Sequence, residues 1–151
     1  MDIDVDQSGK IEDVPDTVLA MANGISRSIV LRSRVKRQAF AELRASGITR
    51  KPATLKIFAS SLCLLLEPVV EENLWVTIDK EYPGHEATIK AMILRYFRSS
   101  GTWVHSQQIR FGLVSRHSPA HHLAADVYHG DRSPDEWINW KRLRRALGKN
   151  K

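Results

Sequence analysis

The clearest structural signal in the sequence lies in residues 17–31, which read TVLAMANGISRSIVL. Thr17–Ala22 is β-branched and then apolar, which favours a strand, and Ser26–Leu31 has a similar character. Between them, Asn23-Gly24 is typical of a two-residue β-hairpin turn, because both residues tolerate the positive φ that such a turn requires. The segment therefore predicts two antiparallel strands joined by a tight turn.

A further strand is predicted before this hairpin. Residues 1–6 alternate strictly between polar and apolar side chains, and a period of two is that of a strand. Ile3 and Val5 face one side, and the other side carries three acids, Asp2, Asp4 and Asp6. Residues 7–10 then read as a turn. The first third of the chain therefore predicts a three-stranded antiparallel meander.

The rest of the chain alternates helical and extended patterns. Apolar residues recur at helical spacing in Ser33–Ala45, and Ala53–Glu67 is apolar on nearly every side, which predicts a buried helix. The remaining predicted elements are a strand at Leu74–Asp79, a helix at His85–Phe97, a strand at Gln108–Val114, a helix at Ser118–Tyr128 and a last helix at about 134–147. This order predicts an α/β fold with a mixed five-stranded sheet and helices on both faces.

Length and composition predict one domain. The chain has 151 residues and 42% hydrophobic side chains, enough for a single core. We assign residues 1–147 to the domain and residues 148–151 to a frayed tail. The single cysteine, Cys63, lies in an apolar run and is predicted to be buried. Neither a signal peptide nor an apolar run of transmembrane length is visible, which predicts a soluble cytoplasmic protein that does not bind membranes.

The net charge of +6 is unevenly distributed. Acids are concentrated in residues 1–16, whereas residues 17–66 are rich in Lys and Arg, and a second basic run, KRLRR, spans residues 141–145. Such a surface attracts the phosphates of a nucleic acid, although a solvated helix face would have the same composition. We predict nucleic acid as the partner. The candidate contacts are Arg32, Arg34, Lys36 and Arg37.

The order of elements, with its acids, resembles the ribonuclease H-like superfamily, which includes ribonucleases H, integrases, transposases and junction resolvases. Members share a three-stranded antiparallel meander followed by alternating helices and strands, and their acids hold two divalent metal ions. The resemblance covers roughly residues 1–130. The most specific local match is Asp6-Gln7-Ser8-Gly9-Lys10, which is similar to the Asp-x-Ala-Gly-Arg opening of type 2 ribonucleases H.

The resemblance implies a set of metal ligands. Asp6 matches the acid of the first strand, with Asp4 on the same face as the alternative. Asp79 ends the fourth strand and matches the second acid, and Asp126, on the helix after the fifth strand, matches the third. Glu42 is the only acid available for the position on the first helix, although it lies near the C-terminal end of that helix.

Two hard cations about 4 Å apart can activate water and stabilise the leaving oxygen of a phosphodiester. Mg²⁺ or Mn²⁺ suits such a carboxylate site. The sequence therefore predicts a Mg²⁺- or Mn²⁺-dependent nuclease acting on structured or hybrid nucleic acid. Its expected catalytic residues are Asp6, Asp79, Asp126 and Glu42, with Asp4 as a further ligand. The alternative is a non-catalytic module of the same fold that binds nucleic acid or a protein partner.

Side chains near these acids allow other interpretations. Glu81 could reach the acids from the turn after Asp79, but a solvated acid capping the next helix is the preferred interpretation. His122 or His129 could assist proton transfer, because histidine titrates near neutral pH. Zinc is the alternative for the four histidines around Asp126, which are His117, His121, His122 and His129.

Two more patterns have simpler explanations. Residues 4–11 imitate the start of an EF-hand calcium loop, but Pro15 replaces the bidentate Glu that such a loop needs. The tryptophans are predicted to be structural rather than to stack on bases: Trp75 and Trp103 belong to the core, and Trp137 and Trp140 pack the last helix onto the domain.

Overall fold

A computed structural model describes residues 1–149. Six strands form one mixed sheet: β1 (Asp2–Ser8), β2 (Thr17–Ala22), β3 (Arg27–Leu31), β4 (Trp75–Asp79), β5 (Ile109–Gly112) and β6 (Glu136–Ile138). Five helices surround it: α1 (Ser33–Ala45), α2 (Arg50–Leu66), α3 (Glu86–Ser99), α4 (Pro119–Tyr128) and α5 (Trp140–Gly148). None of the described helices is both long enough and apolar enough to cross a bilayer.

The strand order is β5-β4-β1-β2-β3-β6, and β2 is antiparallel to both of its neighbours. The other three pairings are parallel. The predicted antiparallel hairpin is confirmed, and Asn23 and Gly24 both have positive φ, of 80° and 136°. Its loop is longer than the two residues expected, because Met21 is the partner of Arg27. The antiparallel meander and the α/β class follow as predicted, whereas the sheet has one strand more than expected.

The two faces of the sheet are covered unequally. One face carries Ile3 and Val5 of β1 and packs against α1, α2, α3 and α5 in the main core, where Cys63 is fully buried. The other face packs against α4 alone, through a small cluster of Val18, Ala20, Val30, Leu123, Ala124 and Val127. Helix α4 lies on β1 and β2 and reaches β3, so within the described residues no helix packs extensively on the same face of β4 and β5.

The predicted helix at about 134–147 is wrong in its first part. Glu136–Ile138 instead forms β6, which pairs in parallel with β3. The pairing is fixed beside Ser28, whose backbone N–H donates to Asp135 Oδ2 at 2.8 Å and whose carbonyl accepts from the Asp135 N–H at 2.9 Å. Helix α5 starts only after Asn139, whose Oδ1 caps it by accepting from the Arg142 N–H at 2.8 Å. Three residues are too few to show a strand period in the sequence.

Two residues of the predicted tail are described. Gly148 is the last residue of α5, and Lys149 donates from its Nζ to Ser100 Oγ at 3.1 Å. The contact joins Lys149 to the residue that caps the C-terminus of α3. The other two residues of the predicted tail, 150 and 151, lie outside the described residues.

Lys36 has a structural role that the charge pattern did not indicate. Its side chain is buried, with 2% exposed, so its prediction as a nucleic-acid contact is wrong. The ammonium group donates to the carbonyl oxygens of Lys10 at 3.2 Å, of Asp13 at 2.7 Å and of Pro15, and to Thr17 Oγ1 at 3.0 Å. Burial lowers the pKa of Lys36 to about 8. One lysine on α1 therefore fixes the whole loop between β1 and β2.

We expect Lys36→Met to lower the free energy of unfolding by about 2 kcal/mol, because three loop carbonyls would lose their buried donor. Urea unfolding followed by circular dichroism measures the change. Arg34→Met is the matched control, since Arg34 is exposed on the same helix. Equal stability of the two variants would contradict the role assigned to Lys36.

Candidate metal centre

Three carboxylates meet at the edge of the sheet where β1 and β4 end. The parallel register sets Val5 beside Ile78, and the next residue of each strand is an acid, Asp6 or Asp79. Glu81 joins them from the turn after β4. One carboxylate oxygen from each of the three residues lies within 4.8 Å of the others. Such a group of oxygen ligands suits a divalent cation.

Hydrogen bonds orient two of these acids. Asp6 is 5% exposed; its Oδ1 accepts from the Gln7 N–H at 2.8 Å, and its Oδ2 lies 2.8 Å from His121 Nδ1. Asp79 Oδ1 accepts from the Val114 N–H at 2.8 Å. Each carboxylate keeps free lone pairs, so these bonds set its direction without saturating it.

The chain around the acids is tightly constrained. Gly9 follows Asp6 by three residues and has a φ of 78°. A Cβ at this position would lie 2.3 Å from the carbonyl oxygen of Asp16 and 2.8 Å from the Tyr128 ring, so only glycine fits. The turn after β1 is thus packed against α4, the helix that carries His121.

The three acids repel one another when no cation is bound. Burial, a hydrogen bond with Asp79 and the negative charges of Asp79 and Asp6 raise the pKa of Glu81 to about 8. Lys10 opposes this shift with its positive charge. In the absence of metal, Glu81 therefore holds a proton at neutral pH, and a divalent cation would compete with that proton.

The preferred interpretation of Glu81, as a solvated acid that caps the next helix, is wrong. The Lys80 N–H donates to the carbonyl of Gly112 at 3.1 Å, and the Glu81 N–H donates to that of Asp79 at 2.9 Å. The first bond continues the pairing of β4 with β5, and the second closes a tight turn directly after β4. The turn brings Glu81 into the group with Asp79, which the sequence pattern did not reveal.

The remaining predicted acids lie outside this group. Asp4 lies two residues before Asp6 on β1, opposite Thr77. Asp6 is therefore the acid of the first strand that joins Asp79 and Glu81. Glu42 is paired with Arg144, whose Nε lies 2.9 Å from Glu42 Oε1 between α1 and α5. Asp126 is exposed on α4 and is not brought to Asp6.

His121 occupies the position on α4 that the resemblance implied for Asp126. A helix rotates about 100° per residue, so the two side chains flank the buried stripe of α4 on opposite sides. His121 reaches Asp6 and is 36% exposed. His122 and His129 are exposed, and the ring of His129 packs against Tyr128 at 5.5 Å. Neither of these two histidines belongs to the acidic group.

The basic side chains near α1 form a separate surface. Arg32 stacks over the ring of Trp137 at 4.4 Å, and Arg37 donates to Ser33 Oγ at 2.9 Å. Arg34 is exposed. With Lys36 removed from the set, nucleic-acid contact by these three arginines stays a prediction.

Comparisons of this chain with protein-family models, with curated proteins and with solved structures gave no match. The geometry of the acids and of His121 is therefore what carries a functional interpretation.

We expect the metal-free protein to lose stability between about pH 4.5 and about pH 8. Over that range the folded state binds a proton at Glu81 that the unfolded chain releases, so the free energy of unfolding falls as the pH rises. Glu81→Gln removes this titration. Urea unfolding in EDTA, near pH 5 and near pH 8, measures wild type against the variant.

The wild type should become less stable relative to Glu81→Gln at the higher pH. Glu72→Gln, at an exposed acid, is the control and should follow the wild type. A difference between wild type and Glu81→Gln that is independent of pH would contradict the charge repulsion described above.

Proposed function

We propose that the chain is a ribonuclease H-like hydrolase that cleaves phosphodiester bonds of nucleic acid with the help of Mg²⁺ or Mn²⁺. One observation carries the proposal: Asp6, Asp79 and Glu81 present ligand atoms within 4.8 Å of one another, beside His121. Three carboxylates held this close together destabilise the protein when no cation is bound. A ligand-binding role therefore explains the cluster better than a structural role.

The ribonuclease H-like assignment is supported by chain order and by acid placement. Three antiparallel strands come first, and a parallel strand, β4, then pairs with β1. The acids stand on these two neighbours. The chain departs from the family's pattern in its sixth strand, in the pairing of Glu42 with Arg144, and in the histidine on α4.

The donor set fits hard divalent cations. Three carboxylates supply oxygen ligands and leave room for water, as Mg²⁺ requires. When bound, such ions supply an activated water and stabilise the leaving oxygen. The carboxylate of Asp6 is oriented by its hydrogen bonds with the Gln7 N–H and His121.

His121 can serve the reaction through its second ring nitrogen. When Nδ1 donates to Asp6, Nε2 carries the lone pair. That atom can accept a proton from water or from the substrate. Asp6 fixes the orientation of the ring in either case.

A nucleic-acid substrate agrees with the charge of the chain. The net charge is +6 although acids cluster at the site, so basic side chains dominate elsewhere. Long-range attraction of a polyanion is the expected consequence, and its affinity should fall steeply with salt.

We expect Asp6→Asn and Asp79→Asn each to lower the rate of nucleic-acid cleavage by about a hundredfold or more, because each removes a charged metal ligand. Cleavage of labelled single-stranded DNA, RNA, duplex and hybrid in Mg²⁺ or Mn²⁺ is the measurement. Isothermal calorimetry with Mn²⁺ should show matching losses of metal affinity. Undiminished cleavage by both variants would refute the proposal.

His121 and Asp126 offer a sharper comparison on the same helix. We expect His121→Ala to reduce cleavage by about tenfold or more, since the residue contacts Asp6. Asp126→Asn should retain activity close to that of the control Asp131→Asn, because both acids are exposed outside the group. A larger loss of activity in Asp126→Asn than in His121→Ala would indicate that Asp126 is the third acid of the site, as the resemblance implied.

A further inference from the structure

The acidic group lies at one end of a bare strip of sheet. The strip consists of the residues of β4 and β5 whose side chains lie on the same face of the sheet as Asp79. Helix α4 packs on β1, β2 and β3 of this face and leaves the strip uncovered. Three rows follow from the register: Asp79 beside Gly112, Thr77 beside Arg110, and Trp75. Rows lie about 7 Å apart along a strand, and neighbouring strands lie about 5 Å apart.

Arg110 is exposed in the second row. Within residues 1–149 its guanidinium group has no hydrogen-bond or ion-pair partner, unlike Arg27, Arg142 and Arg144, which all pair with acids. It stands one row below the acids on the outermost strand. A cation here is free to bind an anion placed next to the metal site.

Trp75 ends the strip in the third row, and its exposure differs from the sequence-based expectation. Although it was assigned to the core, 38% of the residue is exposed. Trp75 pairs with Asp2 of β1, and its ring lies on the open face because it shares the orientation of Thr77 and Asp79. An uncovered indole on a rigid strand is a surface on which an unpaired base can stack.

Gly112 keeps the top of the strip accessible. It is the partner of Asp79 on β5, and it has no side chain to stand between Arg110 and the acids. A Cβ there would make only an ordinary contact, 3.4 Å from Thr77 Cγ2, so packing does not require glycine. The effect of this glycine is that no side chain at position 112 stands between Arg110 and Asp79.

We infer that Arg110 and Trp75 form a subsite for the nucleotide next to the scissile phosphate, in a single-stranded part of the substrate. Arg110 would bind the neighbouring phosphate, and Trp75 would stack on an unpaired base. The inference rests on the proposed function, which places the scissile phosphate at the acids. One row of the sheet is comparable to the spacing of successive phosphates in an extended strand.

The charges on this face of the sheet also indicate the path that a bound nucleic-acid strand would follow. Asp2 and Asp4 line β1, on the inner side of the strip, and repel phosphates. Arg110 lies on the outer side, on β5. The phosphate backbone should therefore follow β5, while the base turns inward onto Trp75 of β4. A duplex keeps its bases stacked in the helix and cannot offer one to Trp75.

The test is binding of a fluorescein-labelled single-stranded oligothymidylate, measured by anisotropy with Ca²⁺ in place of Mg²⁺. We expect Arg110→Ala and Trp75→Ala each to weaken binding by about tenfold, the size typical of one lost base stack. Arg110→Ala should also reduce the slope of affinity against salt by about one, and Arg110→Lys should restore that slope. Trp75→Phe, which keeps an aromatic face, should retain most of the affinity.

Matched controls are Arg98→Ala, at an exposed residue in the last turn of α3, and Trp103→Ala, in the segment that follows α3. Trp103 was assigned to the core from the sequence, but it is 70% exposed. Circular dichroism checks that every variant is folded. A duplex probe should lose no affinity in Trp75→Ala; an equal loss on single strand and duplex would overturn base stacking.

Binding and cleavage together separate the two claims. If the wild type cleaves nucleic acid but both strip variants bind like their controls, the subsite is wrong and the proposed function stands. If the variants lose binding but no metal-dependent cleavage exists, Arg110 and Trp75 do bind single-stranded nucleic acid, and the hydrolase is wrong together with the scissile phosphate beside them. If the wild type binds no oligonucleotide, both are wrong.

Discussion

The parallel pairing of β1 with β4 is the constraint on which the site depends. It sets Asp6 beside Asp79, although more than seventy residues separate them in the chain. Bringing two carboxylates together, and then a third from Glu81, opposes folding through charge repulsion. The apolar residues Val5 and Ile78, on the reverse side of the same two strands, offset that cost by packing in the main core. Packing on the opposite face of the sheet therefore stabilises the two strands that hold the acids close together.

Periodicity was sufficient to predict most of the elements. The bounds of β2 and α1 agree with the predicted Thr17–Ala22 and Ser33–Ala45, because the hairpin turn and the apolar stripe are both local signals. The strand β6 was missed because it consists of three residues and because its partner, β3, is about a hundred residues away. A pairing of that kind depends on tertiary contacts such as the one between Ser28 and Asp135, which no local pattern contains.

The residues of the site that lie on strands were predicted from the sequence. Those that lie on a helix or in a turn, His121 and Glu81, were not. The resemblance implied an acid on each of two neighbouring strands, which gave Asp79 and either Asp6 or Asp4. On α4, the apolar residues Leu123 and Val127 define the buried stripe, but His121 and Asp126 flank that stripe on opposite sides. Which of them meets β1 depends on the direction in which the helix crosses the sheet. The resemblance implied Asp126, whereas the packing of α4 brings His121 to Asp6 instead.

The small size of the contact under α4 has a consequence for motion. The helix is held by a cluster of six buried residues, whereas the four other helices share the main core. Local opening of α4, which has four buried residues, therefore exposes far less buried surface than opening of α2, which has thirteen. Amide hydrogens of α4 should exchange with solvent well before those of α2. The protein can thus release the His121 side of its site while the strands that carry the acids remain folded.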